Sequence, residues 1–82
     1  MIRSFAEPRV ERFFRHGICP ARWRTFENVA KRKLDMLDAA TKLNDVRVAA
    51  LSGDRYELRH DQFRVRLRWT DQGPTDVEIA GR

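Results

Sequence analysis

Cysteine is almost missing from this chain. The single Cys19 excludes an internal disulfide, so packing alone must hold the fold. It also has no base near it in sequence, which argues for a small packed residue rather than a nucleophile. No apolar run is long enough to span a bilayer. The opening Met1-Ile2-Arg3-Ser4-Phe5 lacks the apolar block of a signal peptide. The expected location is therefore the cytoplasm, with no membrane partner. Histidine is scarce as well. His16 precedes a glycine at a helix end, and His60 falls at a hairpin tip, so both read as solvated residues rather than as general bases. Eighty-two residues leave no room for a second core, and no repeat, linker or low-complexity tract divides them. Residues 1–82 read as a single domain.

Arginine is what the chain has in excess. Seventeen basic residues stand against twelve acidic ones, a net charge of +5, and fourteen of the seventeen are arginine. Arginine presents a planar fork of donors suited to phosphate, where lysine is a point charge. The excess is uneven: residues 1–33 carry nine basic and three acidic side chains, and residues 55–69 carry five arginines against Glu57 and Asp61. Nucleic acid or an acidic protein is the partner such a surface suits. A basic surface with no specific partner is the plainer alternative.

Local patterns supply the elements. Ile2, Ser4 and Ala6 alternate with Met1, Arg3 and Phe5, which predicts a short opening strand. Glu7-Pro8 starts a helix with Val10, Phe13 and Phe14 inward and Arg9, Arg12 and Arg15 outward, and Gly17 stops it. A connection from Cys19-Pro20 leads to Thr25, a cap for a second helix. Val29, Ala30, Leu34, Met36, Leu37, Ala40 and Leu43 are its expected core side, and Asn44-Asp45 its end. Ser52-Gly53-Asp54 marks a turn, Tyr56–Arg59 a strand, and His60-Asp61 a hairpin tip. Phe63, Val65, Leu67 and Trp69 then alternate with Gln62, Arg64, Arg66 and Arg68, the clearest strand in the chain. After the turn at Asp71-Gln72-Gly73-Pro74, Thr75–Ile79 is a last strand. The expected order is βααβββ, an α+β fold with two N-terminal helices packed on one face of a small antiparallel sheet. Trp69 is expected in the core, and Trp23 either packs or stacks on bases.

Arg64, Arg66 and Arg68 repeat about every 7 Å along one strand face. Burying that face under helices would strand three charges, so it must be open or lined by acids. Two arrangements satisfy this. One is a ladder of cross-strand ion pairs with Glu57 and Glu78; the other is a concave face that accepts a phosphate backbone.

Several stretches carry a family resemblance. Leu37-Asp38-Ala39-Ala40-Thr41, Leu43-Asn44-Asp45-Val46-Arg47 and Leu51-Ser52-Gly53-Asp54-Arg55 resemble the HigB branch of the RelE/ParE toxin superfamily. So do Asp61-Gln62-Phe63-Arg64-Val65, Arg68-Trp69-Thr70-Asp71 and Asp76-Val77-Glu78-Ile79, together with Ile2-Arg3-Ser4-Phe5 and Arg12-Phe13-Phe14 at the start. The resemblance covers nearly the whole chain in the family's order.

It implies a RelE-like fold and the toxin of a type II toxin–antitoxin pair: a ribosome-dependent endoribonuclease that cuts translated messenger RNA. The implied partners are mRNA on the ribosome and a helix-turn-helix, HigA-like antitoxin, with no DNA contact of its own. No metal or cofactor is implied, because a ribose 2′-hydroxyl attacks the adjacent phosphate with help from acid, base and cations. Arg55, in the Gly-Asp-Arg segment, and Arg64 match the family's basic residues and are the expected catalytic pair. Arg59, Arg66, Arg68, Arg9 and Arg12 are the expected RNA contacts, although Arg66 stands where the family has a small or apolar residue. Relatives commonly end in an aspartate-tyrosine-histidine segment, whereas Ala80-Gly81-Arg82 ends this sequence, and the chain is shorter before Leu51 and after Arg55. Slower cleavage with binding retained is the expectation. The alternatives are a relative that binds RNA or antitoxin without efficient cleavage, and a ParE-like topoisomerase inhibitor.

Overall fold

A proline opens the first helix and a glycine closes it. The computed structural model describes residues 1–81. Its first helix, α1 (Pro8–His16), follows an extended Glu7 and ends at Gly17, whose φ of 71° is the left-handed turn that glycine adopts without penalty. The Gly17 N–H closes the helix on the carbonyls of Arg12 and Phe13. Val10 and Phe13 are its buried side. A 3-10 turn, Ala21–Phe26, follows and buries Trp23 and Phe26. The second helix, α2 (Glu27–Ala39), buries Ala30, Leu34 and Leu37.

The second helix corrects the sequence reading at both ends. Thr25 lies inside the 3-10 turn, and Phe26 leads into α2 without a side-chain cap. The helix stops before Leu43 because Ala40 turns extended, with ψ 134°. Asp45 then accepts from the Thr41 and Lys42 N–H groups at 2.9 and 3.1 Å and from the Thr41 hydroxyl at 3.1 Å. That local carboxylate–backbone ring winds Leu43–Asp45 into a 3-10 turn in place of a fourth helical turn. Met36, expected inside, is exposed, and Leu43 is half-buried.

Four antiparallel strands lie in the sheet in chain order: β1 (Ala49–Ser52), β2 (Arg55–Arg59), β3 (Phe63–Thr70) and β4 (Gly73–Gly81). The last three are the expected ones, and β1 is an addition. The expected opening strand contracts to a single parallel bridge between Phe5 and Val77. The fold is α+β, but the element order is two helices followed by four strands, not βααβββ.

The opening segment is still tied down. Arg3 N–H donates to the Pro74 carbonyl at 2.8 Å, Val77 N–H to Ser4 at 3.2 Å, and Ala6 N–H to Val77 at 2.9 Å. Ile2 N–H donates to the Asp38 carboxylate of α2 at 2.9 Å.

The helices cover one sheet face. Phe63, Val65 and Leu67 of β3 and Leu58 of β2 point into a core shared with Val10, Phe13, Trp23, Phe26, Leu34 and Leu37. Phe26 stacks on Phe63 at 4.6 Å between ring centroids, and Phe13 meets Trp23 edge-on at 5.7 Å. Trp69, expected in the core, is half-buried and packs at its margin. Among the described residues no helix is long and apolar enough to cross a membrane.

Candidate nucleic-acid interface

The strict alternation of β3 sends Arg64, Arg66 and Arg68 to the face that the helices leave uncovered. The register aligns β2 beside it: Arg55 pairs with Arg68, Glu57 with Arg66, and Arg59 with Arg64. Five arginines therefore share one sheet face. Two of the three cross-strand pairs are arginine opposite arginine, an arrangement that costs stability through like-charge repulsion. The middle rung carries the acid, Glu57, that Arg59, Arg64 and Arg66 share, and Asp54 and Asp76 meet Arg68, so ion pairs reach four of the five arginines and leave Arg55.

That rung is the organising centre. Glu57 is only 4% exposed, covered by the arginine side chains around it. Arg59 Nε donates to its Oε1 at 2.7 Å, Arg66 Nε to its Oε2 at 3.4 Å, and Arg64 Nε stands 4.0 Å away. The Arg59 hydrogen bond and its cationic neighbours hold the Glu57 carboxyl below the ordinary glutamate range, against the opposing effect of burial. Glu57 is thus an anion that sets the fan of three guanidinium groups. A carboxylate fixed on both oxygens in this way is a poor proton acceptor.

Arg68 is committed differently. Its Nε and Nη2 form a two-pronged contact with both Asp54 oxygens, each at 3.3 Å, and Nη1 lies 3.7 Å from Asp76. These acids raise its pKa further, chiefly through the Asp54 hydrogen bond. Arg55, by contrast, makes no ion pair among the described residues.

A bulge in β4 shapes the neighbouring surface. Arg66 pairs with Glu78 and Arg68 with Thr75, so three steps on β4 span two on β3. The extra residue places Asp76 at φ 50°, a left-handed conformation that aspartate tolerates better than most residues. Ser4 supports it: the Asp76 N–H donates to Ser4 Oγ at 2.9 Å, and the hydroxyl donates back to Asp76 Oδ1 at 3.3 Å. Beside the bulge lies a cleft of about 470 Å³ whose walls include Arg55, Arg66, Arg68, Asp76, Glu78 and Phe5.

No protein-family model and no curated protein matches the chain. The site therefore rests on its geometry. That geometry brings Arg55, Arg59, Arg64, Arg66 and Arg68 together but leaves Arg9 and Arg12 apart. Both stand on α1, and Arg9 lies 5.9 Å over the ring of Trp23, which is buried in the core on the other side of the sheet. Trp23 accordingly packs and does not offer a stacking face. His60 lies against Phe63, 4.7 Å between centroids, and Tyr56 pairs with Leu67 on the core side. The expectation drawn from Ala80-Gly81-Arg82 falls partly on Arg82, outside the described residues.

Phe5 and Asp76 are the cleft residues that sequence reasoning missed. Their placement depends on the bulge, for which alternation gives no signal.

Proposed function

We propose that the protein is an RNA-binding toxin domain of the HigB kind within the RelE/ParE superfamily, holding the backbone of translated messenger RNA on its arginine face. The observation that carries this reading is the register that sets Arg55 against Arg68 and Arg59 against Arg64. Glu57 is shared among three guanidinium groups and Arg55 has no ion pair among the described residues, so positive charge remains on this face for a bound polyanion to meet. Helices on the opposite face leave the arginines open to a strand of RNA, and the α+β fold agrees with the resemblance to that superfamily.

Arg55 and Arg64, the expected catalytic pair, stand at opposite ends of the β2–β3 ladder. In an endoribonuclease of this kind they therefore meet separate phosphates, and the arginine beside the scissile phosphate balances the charge that develops when a ribose 2′-hydroxyl attacks it. A helix-turn-helix antitoxin is the cognate inhibitor in this reading. One observation favours a second reading, a relative that binds RNA or antitoxin with little cleavage: among the described residues no histidine or tyrosine side chain joins the arginine face.

Induced expression of the free protein with mapping of messenger RNA ends separates the two. New ends inside translated codons, abolished in a folded Arg55→Ala/Arg64→Ala variant, are expected of the nuclease. Ribosome or RNA association without new ends is expected of the binder. Undiminished toxicity of the folded double variant would overturn the assignment of these arginines.

A further inference from the structure

Glu78 is the cleft carboxylate left without an ion pair. It stands opposite Arg66 in the β3–β4 register, yet the Arg66 Nε is turned to Glu57 at 3.4 Å. Asp76, the other acid in the cleft, is engaged by Ser4 and Arg68. Glu78 has no such partner among the described residues and is half-buried in the cleft wall.

The cleft thus combines two kinds of group: the guanidinium groups of Arg55, Arg66 and Arg68 on one side and an uncommitted carboxylate on the other. Its volume of about 470 Å³ falls within the range of small-molecule sites and has room for a single nucleotide. Guanidinium groups take the phosphate. A carboxylate offers two acceptors and no donor. Guanine alone among the four RNA bases presents two adjacent donors, N1–H and N2–H, on its Watson–Crick edge. Adenine and cytosine set an acceptor beside their amine, facing it toward a second carboxylate oxygen, and uracil offers one donor between two carbonyls.

We propose that this cleft is a guanine-selective nucleotide subsite in which Glu78 reads the base edge and Arg55 and Arg66 hold the phosphate. The proposal rests on the RNA-binding reading and specifies which base that surface prefers.

The test measures binding of nine-residue uridine oligomers that carry one central guanine, adenine or cytosine, or none, alongside the four free nucleoside monophosphates. A two-donor contact to a carboxylate discriminates by roughly 10-fold or more, so the guanine oligomer is expected to bind tighter than the others by that factor. In Glu78→Gln, whose amide keeps the shape but replaces one acceptor with a donor, the preference disappears and the guanine oligomer binds no tighter than the others. Equal affinity for all four oligomers, or a preference that survives in Glu78→Gln, overturns the subsite and leaves RNA binding standing. Failure of every oligomer to bind at low salt overturns both readings. Guanosine monophosphate binding as tightly as its oligomer assigns the cleft to the free nucleotide and overturns its place in RNA recognition.

Discussion

Raising the salt concentration should weaken RNA binding by an amount that the ion pairs allow to be worked out. Five arginines share the sheet face, but not all are available to phosphate. Glu57 offsets one charge among Arg59, Arg64 and Arg66, and Arg68 is tied to Asp54 by a two-pronged contact. Together with unpaired Arg55, about three charges remain to meet phosphates, and a single strand then gives a log–log salt slope of about −2. Between about 50 and about 200 mM salt, affinity should fall roughly 20-fold. Fluorescence anisotropy with a labelled oligouridine, read over a salt series, measures the slope. Arg55→Gln or Arg64→Gln should each flatten it by about 0.7, whereas Arg68→Gln should change it little. A slope near zero, or one that Arg68 dominates, would refute the reasoning.

Other outcomes follow from the same geometry. Because the Glu57 pKa is lowered on folding, its stabilisation is complete above the ordinary glutamate value and is lost progressively as pH falls from there through the lower folded value; thermal melts should begin to decline below about pH 4.3, and Glu57→Gln should blunt that decline. Phe63→Ala empties a site 1% exposed, stacked on Phe26, and should cost about 3–5 kcal/mol in urea unfolding. At Gly73, φ is 115° and a Cβ would lie 2.9 Å from the Met1 carbonyl oxygen, so Gly73→Ala should destabilise by more than about 1 kcal/mol in the same assay.

The readable parts of this sequence were those governed by local rules. Pro8 and Gly17 bracket α1 because one pre-sets the first helical turn and the other accepts the left-handed stop. The alternation of Phe63–Trp69 placed Arg64, Arg66 and Arg68 on an uncovered face, and Glu57 was recognisable as an acid on the adjoining strand. What stayed hidden depends on contacts distant in sequence. Ala49–Ser52 is a short edge strand of small residues whose pairing with β2 has no periodic signature. The Asp76 bulge is held by Ser4, 72 positions away. Arg9 and Arg12 belonged to the basic first third by composition, yet the helix that carries them packs on the other side of the sheet.

The arginine side chains themselves offer the most direct test of the central claim. Their Nε–H resonances, assigned by nitrogen-15 NMR in the folded protein, can be followed as a short single-stranded RNA is added at low salt. The account predicts that Arg55, Arg59, Arg64 and Arg66 shift together and saturably, while Arg9 and Arg12 stay near their free positions. Shifts confined to Arg9 and Arg12, with the sheet arginines unmoved, would contradict it.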